Sequence, residues 1–215
     1  MKSSLHPLLS VAVFGVTLVL VRPCGNAAPA SLAASSRESA TAPQPAPEIR
    51  SLIRAFAGKW STSEKYEPLF LTPHGGAGRG QTIFRPGPGG FTLEEEYRTQ
   101  TPAGPLYGFG LIWYDSTKKE LQHIWCINIY PDGCKMFPPP SQAGPHWDGK
   151  KLVLHVESDQ GGKKMIFHEE ISEIASNSYT QTADIGAPGE PLKRWFTIHA
   201  TRVPHPTSEL AQPRP

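Results

Sequence analysis

The chain has 215 residues, of which 21 are Lys or Arg and 19 are Asp or Glu, and its formal net charge is +2 at pH 7. Residues 1–30 contain Lys2 and Arg22 and no acidic residue, so the remainder of the chain is formally neutral. A neutral chain without a basic stripe argues against binding to nucleic acid or to an anionic membrane surface.

The first 30 residues have the pattern of a secretory signal peptide. Lys2 precedes an apolar run over residues 8–21, and Ala28-Pro29-Ala30 places small residues at the two positions that a signal peptidase reads. The apolar run is shorter than the roughly 20 residues needed to span a bilayer, which argues against a stable membrane anchor. We therefore expect a secreted or periplasmic protein that is cleaved after Ala30.

A linker, one domain and a tail are predicted to follow. Residues 31–46 are rich in Ala, Ser and Pro without apolar periodicity, which predicts a disordered linker, and residues 204–215 have the same character. Residues 47–203 are predicted to form a single domain. Pro47 suits a first helical position, and the residues after it predict a short α-helix that ends at Gly58. The apolar residues with helical spacing are Ile49, Leu52, Ile53 and Phe56.

After this helix the apolar residues alternate with a period of two. Turn signals such as Asp148-Gly149 and Gly161-Gly162 separate the alternating segments. Eight to ten short strands at hairpin spacing predict an all-β, antiparallel up-and-down fold. A barrel is favoured over a sandwich because closure removes the exposed edge strands.

The glycine-rich segment HGGAGRG, residues 74–80, does not match a nucleotide-binding loop. Gln81-Thr82 follows Gly80 where a P-loop needs Lys and Ser or Thr, and the glycines alternate by two instead of following G-x-G-x-x-G. Residues 68–80 are interpreted either as a flap over the barrel mouth or as a mobile connection without a role.

Two cysteines, Cys126 and Cys134, remain after removal of the signal peptide. An oxidising compartment permits a disulfide between them. Residues 130–133 read as a tight turn, which would leave the two cysteines about 10 Å apart along the strands, beyond the roughly 7 Å that a disulfide allows. The alternatives are a wider loop with a disulfide, which we favour, or two buried thiols.

Gly58-Lys59-Trp60, directly after the helix, resembles the Gly-x-Trp motif of the first lipocalin strand. In that superfamily the Trp plugs the closed end of the barrel beside a basic residue from the last strand, which implies Arg202 as the partner of Trp60. Over residues 52–203 the sequence resembles a bacterial secreted, lipocalin-like family named domain of unknown function 1579. The segments that carry this resemblance are GKW, RPGPGGFTLEEEY, GLIWYD, HIWC, PDGC, HWDGKKLV, SYTQTADIG and PLKRWFTIHATR. The resemblance implies a calycin-type barrel and no particular reaction.

The candidate ligand-binding residues are those that an alternating strand could direct into a barrel. They are Glu95, Tyr97, Tyr107, Trp113, His123, Trp125 and His199. Aromatic side chains on alternating strands could line a pocket for a small apolar or amphipathic ligand, although core packing would use them as well. Glu95 lies inside the barrel if Phe91, Leu93 and Tyr97 point inward.

Two alternative functions remain open at this point. An interior Glu95 paired with a His would suit a hydrolase or isomerase. His199 lies midway along the last strand, where the related nitrobindin barrels place a haem-ligating His, although GKWSTSEKY lacks their glycine-rich start. The sequence contains neither HExxH nor G-x-S-x-G, so we predict no catalytic residue, metal site or cofactor, and a binding protein more than an enzyme.

Overall fold

The computed structural model describes residues 42–69, 72–129, 133–136, 144–159 and 163–204. The predicted signal peptide, residues 31–41 of the predicted linker and residues 205–215 of the predicted tail lie outside these ranges. The described residues form α1 (Pro47–Phe56), β1 (Gly58–Tyr66), β2 (Gly76–Pro86), β3 (Thr92–Thr101), β4 (Gly104–Asp115), β5 (Glu120–Ile127), β6 (Cys134–Met136), β7 (His146–Trp147), β8 (Leu152–Asp159), β9 (Lys164–Ser172), β10 (Ser178–Gly186) and β11 (Lys193–Arg202). Within them, no helix has the length and apolar character that a membrane span requires.

The strands form one antiparallel sheet in the order β6-β5-β4-β3-β2-β1-β11-β10-β9-β8-β7. Consecutive strands pair in hairpins except β6 and β7, and β1 also pairs with β11 from Trp60↔Arg202 to Tyr66↔Phe196, which curls the sheet. In the described part of the chain, the short strands β6 and β7 are the two edges. The predicted antiparallel up-and-down barrel with a short N-terminal helix is therefore confirmed. The described residues form eleven strands instead of eight to ten because β6 and β7 are too short to produce a readable alternation.

Helix α1 covers one end of this barrel with its apolar face. Ile49, Leu52 and Phe56 are buried, and they pack into one core cluster with residues from both halves of the sheet. The strand members of that cluster are Trp60, Phe84, Leu93, Ile112, Leu121, Leu152, Leu154, Ile171, Tyr179 and Ala200. The helix end of the interior is therefore a conventional apolar core.

Strand β1 shows how the character of the interior changes away from the helix. Trp60, Thr62, Glu64 and Tyr66 are buried, and the residues between them are exposed. We call the face with these four residues the inner face, and direct cross-strand partners share it. Along β1 the inner face thus passes from an apolar residue to hydroxyl and carboxyl groups.

The glycine-rich segment belongs to strand β2. Gly78 pairs with Glu64 and Gly76 pairs with Tyr66, so the alternating glycines lie on the inner face. A Cβ atom at Gly78 would lie 2.9 Å from Glu64 Oε2 and 2.9 Å from Tyr66 Cε2. The expectation of a flap is therefore wrong for residues 76–80, which leave room for inward side chains of β1.

The hairpin that carries the cysteines is wider than the sequence indicated. Cys126 pairs directly with Cys134 in the β5–β6 register, and their sulfur atoms are bonded. The Ile127 N–H donates to the Gly133 carbonyl at 3.0 Å, so the loop begins after residue 127. The tight turn expected over residues 130–133 does not set this register. Residues 130–132 lie outside the described residues.

Candidate functional site: the barrel interior

The barrel is closed at the helix end by Trp60 and Arg202. The Trp60 Nε1–H donates to the Phe56 carbonyl at 2.8 Å, and the Arg202 guanidinium lies 4.0 Å from the centre of the Trp60 ring. Arg202 also donates to the backbone carbonyls of Ala55 and Ala57, next to the end of α1. The two residues assigned to closure therefore contact each other, and they fix the end of the helix to the last strand.

Above this closure, the carboxylate of Glu64 accepts four hydroxyl hydrogen bonds. Its Oε1 accepts from Thr62 Oγ1 at 2.7 Å and from Tyr97 OH at 3.1 Å. Its Oε2 accepts from Tyr66 OH at 2.7 Å and from Thr99 Oγ1 at 2.8 Å. Glu64 is 3% exposed. Four hydrogen bonds fill the acceptor sites of a carboxylate, so Glu64 can be buried without a basic partner.

The two tyrosines in this network remain protonated donors. Burial raises the pKa of Tyr66, and the charge of Glu64 raises it further. Burial likewise raises the pKa of Tyr97, and the neighbouring Tyr66 and Glu64 add to that effect. Sequence analysis missed Glu64. The signal was present, because Glu64 is four residues after Trp60 and therefore shares its strand face.

Glu95 and Glu169 face the interior from strands on opposite sides of β1. Glu95 lies on β3 between the buried inner-face residues Leu93 and Tyr97, and Glu169 on β9 accepts from Gln181 Nε2 at 2.7 Å. Burial raises the pKa of Glu95 to about 8, and the charge of Glu169 contributes to that rise. Burial raises the pKa of Glu169 to about 7, against the hydrogen bond from Gln181.

Glu95 and Glu169 are each half-buried as whole residues, so neither residue is completely enclosed by protein. A deep, inward-facing side chain can keep accessible surface only if the interior beside it is not filled by other side chains. The hydroxyl of Tyr179 is close enough to these carboxyl groups for their charges to affect its pKa. Burial raises the pKa of Tyr179 and the charge of Glu95 raises it further, with smaller contributions from Glu169 and Glu64. Three carboxyl groups therefore converge on one region of the interior.

On strand β5, His123 and Trp125 complete this side of the interior. The Trp125 ring lies over the backbone of β4, where a Cβ atom at Gly108 would be 2.5 Å from Trp125 Cζ2 and one at Gly110 would be 2.9 Å from Trp125 Cε3. Burial lowers the pKa of His123 to about 4, so its imidazole is neutral at pH 7. The ring of Trp125 lies 6.4 Å from that of Tyr97. Glycines at 108 and 110 are thus needed for the position of Trp125.

A β-bulge brings a second tryptophan to the opposite wall. Ala183 pairs with Phe196 whereas Asp184 pairs with Arg194, so Trp195 is the additional residue on β11. Its ring lies 5.2 Å from that of Phe196 and 6.0 Å from that of Phe167. Phe167 is the cross-strand partner of the buried Ile185, which places this aromatic group at the inner face.

Three of the seven candidate ligand-binding residues do not lie in the interior. Tyr107 is 55% exposed on the outer face, where it lines a groove of about 490 Å³ with Phe109 and the Cys126–Cys134 disulfide. Trp113 is half-buried on the face opposite the buried Ile112. The structure therefore brings together Glu95, Tyr97, His123 and Trp125, and places the other three elsewhere.

His199 is the third of these residues, and its position corrects the haem alternative. His199 pairs with the exposed Ser63, and its two neighbours on β11 are buried on the inner face. It is therefore exposed on the outer face. Its Nδ1 lies 3.2 Å from Thr180 Oγ1. An outward His cannot ligate a group inside the barrel. Within the described ranges, no group of three or more His, Cys, Asp or Glu side chains is arranged to hold a metal ion.

No family model matches the chain. No curated protein matches it either. Among solved structures, Rv2717c from M. tuberculosis is similar with a TM-score of 0.51 and 14% identity, over 75% of this chain and 100% of that chain. Two redesigned β-barrels bound to DFHBI are also similar. The barrel mFAP1 has a TM-score of 0.37 and 14% identity, over 73% of this chain and 100% of that chain. The barrel mFAP0 has a TM-score of 0.35 and 15% identity, over 69% of this chain and 99% of that chain. At 14% identity, the likeness to Rv2717c shows a shared fold.

Proposed function

We propose that this protein binds a small amphipathic molecule inside the barrel, and that the polar end of the ligand is a cationic amine or another hydrogen-bond donor. The observation that carries this proposal is the carboxyl group of Glu95. It faces the interior, and among the described residues it has no hydrogen-bond or ion-pair partner. A desolvated carboxyl group without a partner is costly, and a donor on the ligand would remove that cost.

The charges in the interior support the same class of ligand. Glu64, Glu95 and Glu169 are acidic, whereas the guanidinium of Arg202 is engaged by Trp60 and by backbone carbonyls at the closed end. The raised pKa values of Glu95 and Glu169 mean that the empty barrel retains protons near neutral pH. A bound cation would favour ionisation of this pair, so binding would release protons.

The aromatic walls supply a surface for the apolar part of the ligand. Trp125, Phe167 and Trp195 are inner-face aromatic residues, and all three are half-buried. Aromatic faces accept both apolar groups and organic cations. The interior is accordingly more polar than the apolar cavity that the sequence suggested, because three carboxyl groups share it with these rings.

A matched series of three ligands tests the proposal, with quenching of tryptophan fluorescence as the measurement. The probes are 2-phenylethylamine, 2-phenylethanol and phenylacetate, which share a ring and differ in the charge of the polar end. We expect the amine to bind at least about tenfold more tightly than the carboxylate at pH 7, because Glu64, Glu95 and Glu169 are acidic side chains that the described residues direct into the interior away from the closed end. Glu95→Gln and Glu169→Gln should reduce this preference.

Glu94→Gln is the control variant, since Glu94 lies next to Glu95 but on the outer face of β3. It should keep the preference for the amine. Equal affinities for the amine and the carboxylate, or an unchanged preference in Glu95→Gln, would contradict the proposal.

The same residue bears on the enzyme alternative. Glu95 faces inward, as that alternative requires. Within the described ranges, however, it forms no hydrogen bond with a His or Tyr side chain, and His123 is neutral at pH 7 because burial lowers its pKa to about 4. The geometry therefore favours binding over catalysis.

We also propose that the protein is secreted or periplasmic. The pattern of residues 1–30 is the basis for this location, and the Cys126–Cys134 disulfide supports it because such bonds persist in oxidising compartments. N-terminal sequencing of protein from the periplasm or the medium should begin at Ser31. A first residue of Met1 would contradict it.

A further inference from the structure

Two histidines meet on the outer face of strands β8 and β9, away from the barrel interior. His155 and His168 are direct cross-strand partners, and both are half-buried. His155 alternates along β8 with Leu154 and Val156, which are buried on the inner face, and His168 shares its outer face as the cross-strand partner. The two Nδ1 atoms lie 3.4 Å apart, and the ring planes cross at 62°.

This separation matches the distance between two nitrogen ligands of a single tetrahedral metal ion. A zinc ion binds a histidine nitrogen at about 2.0–2.1 Å, and two nitrogens at the corners of one tetrahedron are then about 3.4 Å apart. An ion could therefore bridge His155 Nδ1 and His168 Nδ1 without a change in strand register. Metal binding requires both Nδ1 atoms to be unprotonated, so the ring that donates in the Nδ1···Nδ1 contact would give up its Nδ1 proton to solvent and take one from solvent on Nε2, with no net release of protons.

The neighbouring groups are compatible with a divalent cation. Asp184 lies directly opposite His168 on β10, and its carboxylate is held by Arg194, with Nε and Oδ1 2.6 Å apart. Glu157 lies two residues from His155 on the same face of β8. The Arg194 guanidinium balances the charge of Asp184, so Glu157 supplies the uncompensated negative charge near the histidine pair, and solvent can fill the remaining coordination positions.

We propose that His155 and His168 form a two-histidine site for a first-row transition dication such as Zn²⁺. Neutral imidazole nitrogen is a preferred ligand of Zn²⁺, Ni²⁺ and Cu²⁺. The two histidines supply two protein ligands, and water completes the shell. Such a site holds an exchangeable ion and leaves open positions for an external ligand.

Calorimetric titration of the full chain with Zn²⁺ alone tests this site. The unmodified chain should take up Zn²⁺ saturably, and His155→Gln and His168→Gln should each weaken that uptake by at least about tenfold, because each removes one of two protein ligands. His199→Gln is the matched control, since His199 is also a strand histidine on the outer face. It should leave the uptake unchanged.

A second measurement does not depend on any variant. Co²⁺ bound in a four-coordinate site absorbs visible light strongly, whereas hydrated Co²⁺ absorbs weakly, so the unmodified chain should develop such bands on titration. Absence of these bands together with absence of saturable Zn²⁺ uptake would overturn the proposal. Uptake of unchanged strength in the His155→Gln, His168→Gln double variant would also overturn it, because the ion would then bind elsewhere.

Discussion

The guanidinium carbon of Arg202 lies 4.0 Å from the centre of the Trp60 ring, at the end of the barrel that α1 covers. The same side chain donates to the backbone carbonyls of Ala55, Ala57 and Ser176. It therefore joins the end of the helix, the first strand and the β9–β10 connection. A stacked guanidinium contributes about 0.5–2 kcal/mol, and a buried carbonyl left without its donor costs about 1–3 kcal/mol.

Arg202→Lys should lower the free energy of unfolding by about 2–3 kcal/mol, because a lysine ammonium cannot reach several carbonyls in the fixed geometry of a guanidinium. Urea denaturation monitored by tryptophan fluorescence measures the change. Arg98→Lys is the control, since Arg98 is exposed and its ion pair with Glu96 is worth less than about 1 kcal/mol. Equal losses in the two variants would contradict a closing role for Arg202.

Glu64→Gln should destabilise the barrel by about 2–4 kcal/mol. A glutamine side chain presents an N–H₂ group where Glu64 presents a second acceptor oxygen, so two of the four hydroxyl donors lose their partner. Thermal or urea unfolding checks the value. Glu173→Gln is the control, because Glu173 is exposed and accepts only from Thr180 among the described residues, and it should change stability by less than about 0.5 kcal/mol.

Gly108→Ala should destabilise the protein by about 1–3 kcal/mol, because its Cβ atom would meet Trp125 Cζ2. The clash should disappear when the large ring is absent. In the Trp125→Val background the cost of Gly108→Ala should therefore fall below about 0.5 kcal/mol, which a double-mutant cycle of urea-unfolding free energies measures. If the free-energy costs of the two substitutions were additive, the Trp125 ring would not pack against the β4 backbone at Gly108.

The raised pKa values of Glu95 and Glu169 predict that stability falls as the pH rises. In the unfolded chain both groups titrate near 4.5, whereas in the folded barrel they titrate at about 8 and about 7. Between these values the folded state binds more protons. The stabilisation is therefore complete below pH 4.5 and is lost as the pH rises through 7 and 8, by at most about 1.4 kcal/mol per pH unit for each group.

Urea unfolding between pH 6.5 and pH 8.5 checks this dependence. His123 adds a slope of opposite sign near the lower limit, because its pKa is 6.5 in the unfolded chain and about 4 in the folded barrel, and comparison with a variant that retains His123 cancels this contribution. The Glu95→Gln, Glu169→Gln double variant should show a much flatter profile and should be more stable than the unmodified chain at pH 8.5. Glu94→Gln should keep the original slope. A flat profile in the unmodified chain would contradict the burial of the pair.

The glycine segment shows how a sequence pattern can be informative and still be misread. The spacing of Gly76, Gly78 and Gly80 excluded a nucleotide loop, and the extended pattern after Gly80 was recognised. The same period of two also placed the glycines on one face of a strand, but the concentration of glycine was interpreted as a flap or a mobile connection. Only the pairing of Gly78 with Glu64 shows that these positions make room for side chains of the neighbouring strand.

By itself the sequence determined the helix and the meander of alternating strands, because apolar periodicity reports on neighbouring residues, and the resemblance of Gly58-Lys59-Trp60 to a lipocalin motif implied the Trp60–Arg202 closure. The tertiary structure decided which face of each strand is inward. A period of two divides a strand into two faces and does not say which one the curl of the sheet encloses. The direction of His199, the bulge that carries Trp195 inward and the convergence of Glu64 with Glu95 all follow from cross-strand register, which is set by contacts between residues far apart in the chain.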